Sequence, residues 1–259
     1  MGDASEILVT GSSSGLGKYC VEHFNGVGFT RHSSLAELKQ RTGQPFRAII
    51  HCAFNPKADV SSAALYDYLN DTLLLTRELI QIPHDKFIFI SSADVYPKTE
   101  IQHTEDEEIN LNDVNNIYGL SKLMTEAVVQ NEAADHLILR TTALLGKDAR
   151  KNSLMKILMD DQVKLTLAGS SSFNYISHED VGSFITHALL KDLTGIYNLG
   201  ADTSVTLEDI CKHYQRHVTF GEYHYMSAAV SNKKASAIMQ NFNKSSLDTI
   251  NQFMKIFSL

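Results

Sequence analysis

A short apolar run that leads directly into a glycine-rich turn constrains this chain more than any other feature. Ile7-Leu8-Val9 is followed by Thr10-Gly11-Ser12-Ser13-Ser14-Gly15-Leu16-Gly17, and a helix-compatible stretch continues to about Phe24. Strand, turn and helix in that order leave backbone N–H groups at a helix N-terminus, where they can receive a phosphate. Glycine at positions 11, 15 and 17 removes Cβ atoms where a ligand and the helix must approach the turn closely.

Further apolar runs suited to buried strands recur at Val27-Gly28-Phe29, Ala48-Ile49-Ile50, Phe87-Ile88-Phe89-Ile90 and Leu137-Ile138-Leu139, with helical segments between most of them. This alternation predicts an α/β chain built on a parallel, doubly wound sheet. The segment from Val60 to Gln81 has Leu65, Leu69, Leu73 and Leu79 near helical spacing, with Tyr66, Leu74 and Leu75 on other faces. It is expected to be a helix buried on more than one side, with a subunit interface as a second use of the surplus. Beyond about Leu145 the pattern is less regular: a helix near Leu154 to Met159, a strand at Val163 to Leu167, and Asn174-Tyr175-Ile176-Ser177 before another helix. Two amphipathic stretches close the chain, around Ala235 to Met239 and Leu247 to Phe257. One domain over 1–259 is expected, with about 1–145 mainly cofactor-binding and about 146–259 mainly a small C-terminal substrate lobe with elements returning to the core.

The 259 residues, 43% apolar, suffice for a substantial core. A net charge of -7 without a basic cluster argues against nucleic acid as a partner. Cys20, Cys52 and Cys211 are odd in number and widely spaced, which fits neither a disulfide framework nor a metal knuckle. The first residues lack the pattern of a signal peptide, and no apolar run reaches membrane-spanning length, so a cytoplasmic protein with no membrane partner is expected.

Two positions bear on the ligand. The second strand ends at Thr30-Arg31-His32-Ser33-Ser34, where the adenosine ribose is met in this architecture. Arg31 can pair with a 2′-phosphate and no carboxylate is present to repel it, so NADP(H) is favoured, with NAD(H) the alternative. Tyr118-Gly119-Leu120-Ser121-Lys122 opens a helical stretch to about Ala134, and a spacing of four puts tyrosine and lysine on one helix face. A phenol with a pKa of about 10 must be made more acidic to exchange protons near neutrality, and an adjacent ammonium does that. Ser91 and Ser92 follow the strongest strand, at the edge where such sheets bind ligands.

Taken together these motifs resemble the short-chain dehydrogenase/reductase superfamily, and more narrowly its extended, nucleotide-sugar epimerase/dehydratase branch, of Rossmann fold. Thr10 to Gly17 resembles the cofactor turn, His51-Cys52-Ala53 the segment after the third strand, and Asn70 the asparagine of the following helix. Ser91-Ser92-Ala93-Asp94-Val95-Tyr96, Tyr118 to Lys122 and Glu126 are similar to the active-site block, while Leu139-Arg140, His178 to Val181 and Ile196 to Gly200 resemble later landmarks. The resemblance implies catalysis by Ser92, Tyr118 and Lys122. It implies cofactor contacts from Gly11, Ser13, Ser14, Gly15, Leu16, Gly17, Cys52, Ala53, Asn70, Tyr118 and Lys122, to which the strand end adds Arg31, and a substrate contact from Ser92. Asp94, two residues on at the sheet edge, and Thr142 are further substrate candidates, and Arg150 or Lys151 is the nearest cation in sequence for a substrate phosphate. The glycine spacing is that of the superfamily's shorter branch, Thr141 stands where proline is common, and Ser170 to Tyr175 lacks the arginine that grips a sugar nucleotide's phosphates.

The implied activity is hydride transfer to or from a nucleotide-linked sugar, as a 4-keto-sugar reductase or an epimerase, in a chain that could form a homodimer. A reductase of small non-nucleotide carbonyls and a non-catalytic NADP-sensing protein are the alternatives. No metal is expected: His213, His217 and His224 have no matching carboxylate or cysteine spacing, and read as surface histidines. His178-Glu179-Asp180 reads as a helix start and Asp106-Glu107-Glu108 as a solvated loop.

Overall fold

The computed structural model describes residues 6–40, 44–56, 60–149 and 151–257. Six parallel strands form the central sheet: β1 (Ile7–Thr10), β2 (Val27–Phe29), β3 (Phe46–His51), β4 (His84–Ser92), β5 (His136–Thr141) and β6 (Gly195–Leu199). Their spatial order is β6-β5-β4-β3-β1-β2, and every pairing within it is parallel. The sheet is Rossmann-like. Its order begins 2-1-3, with no strand beyond β2 among the described residues, where the commonest dinucleotide-binding order is 3-2-1-4-5-6. Between Phe29 and Phe46 the described residues form one short helix, Leu35–Lys39.

Strands covered on both faces need apolar side chains on both, which is why their sequences read as continuous runs. Successive side chains then go to opposite layers. Val9, Ile50, Ile88, Ile90, Leu137 and Leu139 join one core cluster, whereas Leu8, Ile49, Phe87, Phe89 and Ile138 join the other. The first layer is closed by α1 (Gly15–Phe24) and by His178–Lys191, the second by the helical run from Leu65 to Ile80 and by Ile117–Glu132. A separate cluster packs Ser153–Met159, Leu207–His213 and Ser246–Phe257 together through Leu154, Ile157, Leu207, Ile210, Ile250 and Phe253.

The run from Leu65 to Ile80 departs from expectation. It is α-helical over Leu65–Leu69, widens to a π turn at Asn70–Leu74 and returns to α-helix at Leu75–Ile80. Its fully covered face is formed by Tyr68, Thr72, Thr76, Leu79 and Ile80, while Leu65, Tyr66 and Leu74 are exposed. It is therefore buried on one side, because no other element of the described chain covers the outer face. The acidic run at 106–108 also differs from a plain solvated loop: Glu107 accepts from His103 Nδ1 at 2.6 Å and from the Thr104 N–H at 3.0 Å. The helix start at His178 is capped as its sequence suggests, with Ser177 and Asp180 forming a reciprocal capping box.

Candidate active site

The carboxyl ends of β1 to β5 open onto one cleft of about 1140 Å³. Gly11, Ser13, Ser14, Gly15, Leu16 and Gly17 line one end of it, and Tyr118 and Lys122 also line it. The turn is tightly built. Gly11 has φ +68°, and a Cβ there would stand 2.8 Å from the Ala53 nitrogen. A Cβ on Gly17 would stand 2.3 Å from the Gly11 carbonyl oxygen, so glycine lets α1 seat against the turn. This cradle, at a helix N-terminus whose Ser14 makes no side-chain cap, suits a dinucleotide's pyrophosphate. A loop from the far side of the chain also reaches it: the Gly15 N–H donates to the Asp148 carbonyl at 2.9 Å, and Lys18 Nζ lies 2.8 Å from Asp148 Oδ1.

Behind the turn, polar contacts hold β1, β3 and the π-containing helix in register. Thr76 Oγ1 donates to the Thr72 carbonyl, so it accepts from His51 Nε2–H at 2.8 Å. His51 Nδ1 then accepts from Thr10 Oγ1 at 2.6 Å, and Thr10 Oγ1 accepts from the Ala53 N–H at 3.1 Å. Burial, aided by the nearby Lys122 charge, lowers the His51 pKa to about 3, so the ring is neutral and keeps this tautomer.

The Tyr118 and Lys122 side chains come from α2 (Ile117–Glu132), whose start is capped by Asn116 accepting from the Gly119 N–H at 2.6 Å. Lys122 is 3% exposed and donates to the Ile90 carbonyl at 2.6 Å. Burial lowers its pKa to about 7, opposed by Cys52 and Glu126. Tyr118 is half-buried, and its ring meets the Phe54 ring edge-on at 5.7 Å.

The two serines of β4 are separated by their partners. Ser91, which lines the cleft, donates its proton to Glu126 Oε1. Glu126 and Arg140, both almost fully buried, pair through Arg140 Nη2 at 2.7 Å, and Arg140 Nη1 donates to Tyr96 Oη at 2.7 Å. Ser92 accepts from the Asp94 N–H at 3.1 Å, a bond that does not use its own O–H. Asp94 pairs with Lys98 at 3.2 Å; Lys98 Nζ stands 4.0 Å over the Tyr225 ring, which stacks on Phe173 at 4.7 Å. Burial and the nearby Asp94 hold the Tyr225 phenol well above its usual range.

The structure thus brings Gly11, Ser13, Ser14, Gly15, Leu16, Gly17, Arg31, Cys52, Ala53, Asn70, Tyr118 and Lys122 to one cleft. Leu16 is buried at its wall, and Arg31 is exposed at the rim. Ser92, Asp94 and Thr142 are not among the lining residues; their neighbours Ser91 and Thr141 are. Thr142 is 8% exposed and its Oγ1 has no hydrogen-bond partner among the described residues. Arg150 lies outside the described residues, and Lys151 is engaged by Asp160 at 2.9 Å. His213 Nε2 pairs with Asn251 Oδ1 at 3.2 Å, and no group of three or more His, Cys, Asp or Glu suited to a metal occurs among the described residues. No helix among them is long and apolar enough to cross a membrane. Sequence reasoning passed over Phe54 and Asp148. The aromatic ring directly after Ala53 was a local signal for the first, whereas nothing local marks the second.

Fold, glycine turn and tyrosine–lysine pair define a nicotinamide-dinucleotide enzyme of short-chain dehydrogenase type. Residues 7–200 match the profile of the NAD dependent epimerase/dehydratase family, and the chain belongs to that family. No curated protein matches it in sequence. Among solved structures it is similar to dTDP-4-dehydrorhamnose reductase from Bacillus anthracis in complex with NADP, at 16% identity and TM-score 0.78, over 97% of this chain and 99% of that one. It is similar to UDP-glucuronic acid 4-epimerase from Bacillus cereus in complex with UDP-glucuronic acid and NAD, at 19% identity and TM-score 0.74, over 95% and 99%. A third likeness is to TunA, an NAD dependent NDP-hexosamine 5,6-dehydratase, at 14% identity and TM-score 0.74, over 97% and 98%. At these identities the likeness is one of fold.

Proposed function

We propose that the chain is a cytoplasmic oxidoreductase that acts on a nucleotide-linked sugar, as a 4-keto-sugar reductase or an epimerase, and prefers NADP(H) to NAD(H). The observation that carries this reading is that the glycine cradle, Arg31, Tyr118 and Lys122 share one cleft. The bound dinucleotide supplies or accepts the hydride at its nicotinamide ring. Tyr118 gives its phenolic proton to the sugar oxygen in reduction and takes it back in oxidation. Lys122 stabilises the phenolate in between. Ser92 donates to the same oxygen through the O–H it retains beside Asp94. Asp94 orients the substrate, and the segment after about residue 145 forms the wall that holds it. Arg31, exposed at the rim, faces the 2′-phosphate. The uncovered apolar residues Leu65 and Tyr66 suit a homodimer contact.

One observation favours a second reading, a reductase of small non-nucleotide carbonyls. The segment Ser170 to Tyr175 presents Phe173, stacked between Tyr175 and Tyr225, and no arginine for phosphates. The deciding experiment is turnover by the purified protein with NADPH against 4-keto nucleotide sugars, nucleotide sugars and small ketones. Tyr118→Phe should lower turnover about 100-fold or more while leaving dinucleotide affinity nearly intact. Reduction of small ketones with no turnover of any nucleotide sugar would reject the first reading. Retention of most activity by the Phe variant would reject the assignment of Tyr118.

A further inference from the structure

Lys122 is enclosed by two aromatic rings of different standing. Its Nζ lies 4.6 Å from the centroid of Phe89, a fully buried residue of β4, and 3.7 Å from that of Phe54. Phe54 is only half-buried, and it lines the cleft together with Tyr118 and Lys122. The same ring meets Tyr118 edge-on at 5.7 Å and 88°. Phe54 therefore contacts both members of the pair and borders the cleft with them. A cation over a ring face is attracted to it, more strongly where water is excluded. The ammonium is drawn back toward the Ile90 carbonyl, to which it donates at 2.6 Å. A ribose hydroxyl must come within about 3 Å of Nζ to accept a hydrogen bond from it, and the Phe54 centroid already stands 3.7 Å from that atom.

We propose that Phe54 is a positioning residue of the catalytic pair: its ring covers the Lys122 face that a dinucleotide's nicotinamide riboside must reach, so this half of the ligand binds only by displacing it. The proposal rests on the reading of Tyr118 and Lys122 as the catalytic pair. Its chemical consequence is discrimination within one ligand. The adenosine half, received near Arg31 and Leu75, does not meet the ring, whereas the riboside half must move it. Apparent affinity for the whole dinucleotide is then reduced by the fraction of molecules in which the ring already stands aside.

Titration calorimetry on the ligand-free protein tests this with two probes, NADP⁺ and ADP, on the unmodified chain, Phe54→Ala, Phe54→Leu and Phe54→Tyr, each checked for folding by circular dichroism. Phe54→Ala should tighten NADP⁺ binding by about 3- to 10-fold, the range expected when one such ring contact no longer has to be broken. ADP affinity should stay within about twofold. Phe54→Leu, which fills space without an aromatic face, should tighten NADP⁺ binding in the same direction. Phe54→Tyr should restore the unmodified gap between the two probes. NADP⁺ binding unchanged or weakened in both the Ala and Leu variants, or NADP⁺ and ADP affinities moving together, would overturn the proposal. These measurements need no turnover. Activity retained by Tyr118→Phe would therefore defeat the functional reading separately, without altering this result.

Discussion

Replacing Lys122 with methionine should make the ligand-free protein more stable while abolishing its chemistry. Burial lowers the Lys122 pKa from 10.5 to about 7, with only Cys52 and Glu126 opposing the shift. At 1.36 kcal/mol per pKa unit, that displacement corresponds to about 5 kcal/mol against folding at neutral pH. Methionine fills similar space without a charge, but it gives up the hydrogen bond to Ile90 and the attraction to Phe54 and Phe89. Those contacts are worth roughly 2–4 kcal/mol together, so a net gain of about 1–3 kcal/mol is expected. For a chain of this size the melting temperature should rise by roughly 2–10 °C. The sign of the pH dependence follows from the folded pKa lying below the unfolded one. Between about pH 7 and 10.5 the unfolded chain binds the extra proton, so the unmodified protein gains stability as pH rises through that window. The methionine variant lacks this dependence. Its advantage should be largest at pH 7 and below and should shrink toward pH 10. Urea denaturation of both proteins at pH 7 and at pH 9.5, at constant ionic strength, measures it. A variant less stable at pH 7, or an advantage equal at both pH values, would refute the reasoning.

Three further outcomes are expected. Arg31→Asp should weaken NADPH binding and reduce or reverse the preference over NADH, as read by titrating both cofactors; equal affinities in the unmodified protein would remove the basis for the NADP(H) assignment. Glu126→Gln leaves the buried Arg140 guanidinium without its carboxylate and should cost about 3–5 kcal/mol in urea denaturation, and a loss below about 1 kcal/mol would mean that the pair is not what anchors β5 to α2. Gly17→Ala places a methyl 2.3 Å from the Gly11 carbonyl oxygen and should reduce dinucleotide affinity by about tenfold or more, with unchanged affinity showing that the turn does not hold the pyrophosphate.

Much of the fold is written locally in the chain. The glycine turn, the apolar runs of β1 to β5 and the four-residue spacing of Tyr118 and Lys122 depend on covalent geometry and on periods of two and 3.6 residues, which a sequence displays directly. Other features arise only when distant segments meet. Adjacent strand residues point to opposite sides, so two neighbouring serines look alike in sequence. It is Glu126, brought over from α2, that accepts the hydrogen bond of Ser91, while the bond Ser92 accepts from the Asp94 N–H leaves its own O–H unused. The strand order depends on what the short connection between Phe29 and Phe46 has room to build, and the exposed face at Tyr66 on what is left to cover it. Asp148 reaches Lys18 across 130 residues of chain, and Phe54 comes to lie over Lys122 from a different strand end. Identity and spacing along the chain determine which groups are available. Only packing decides which of them share one small, partly dry volume, where an ammonium changes its pKa and a ring lies over it.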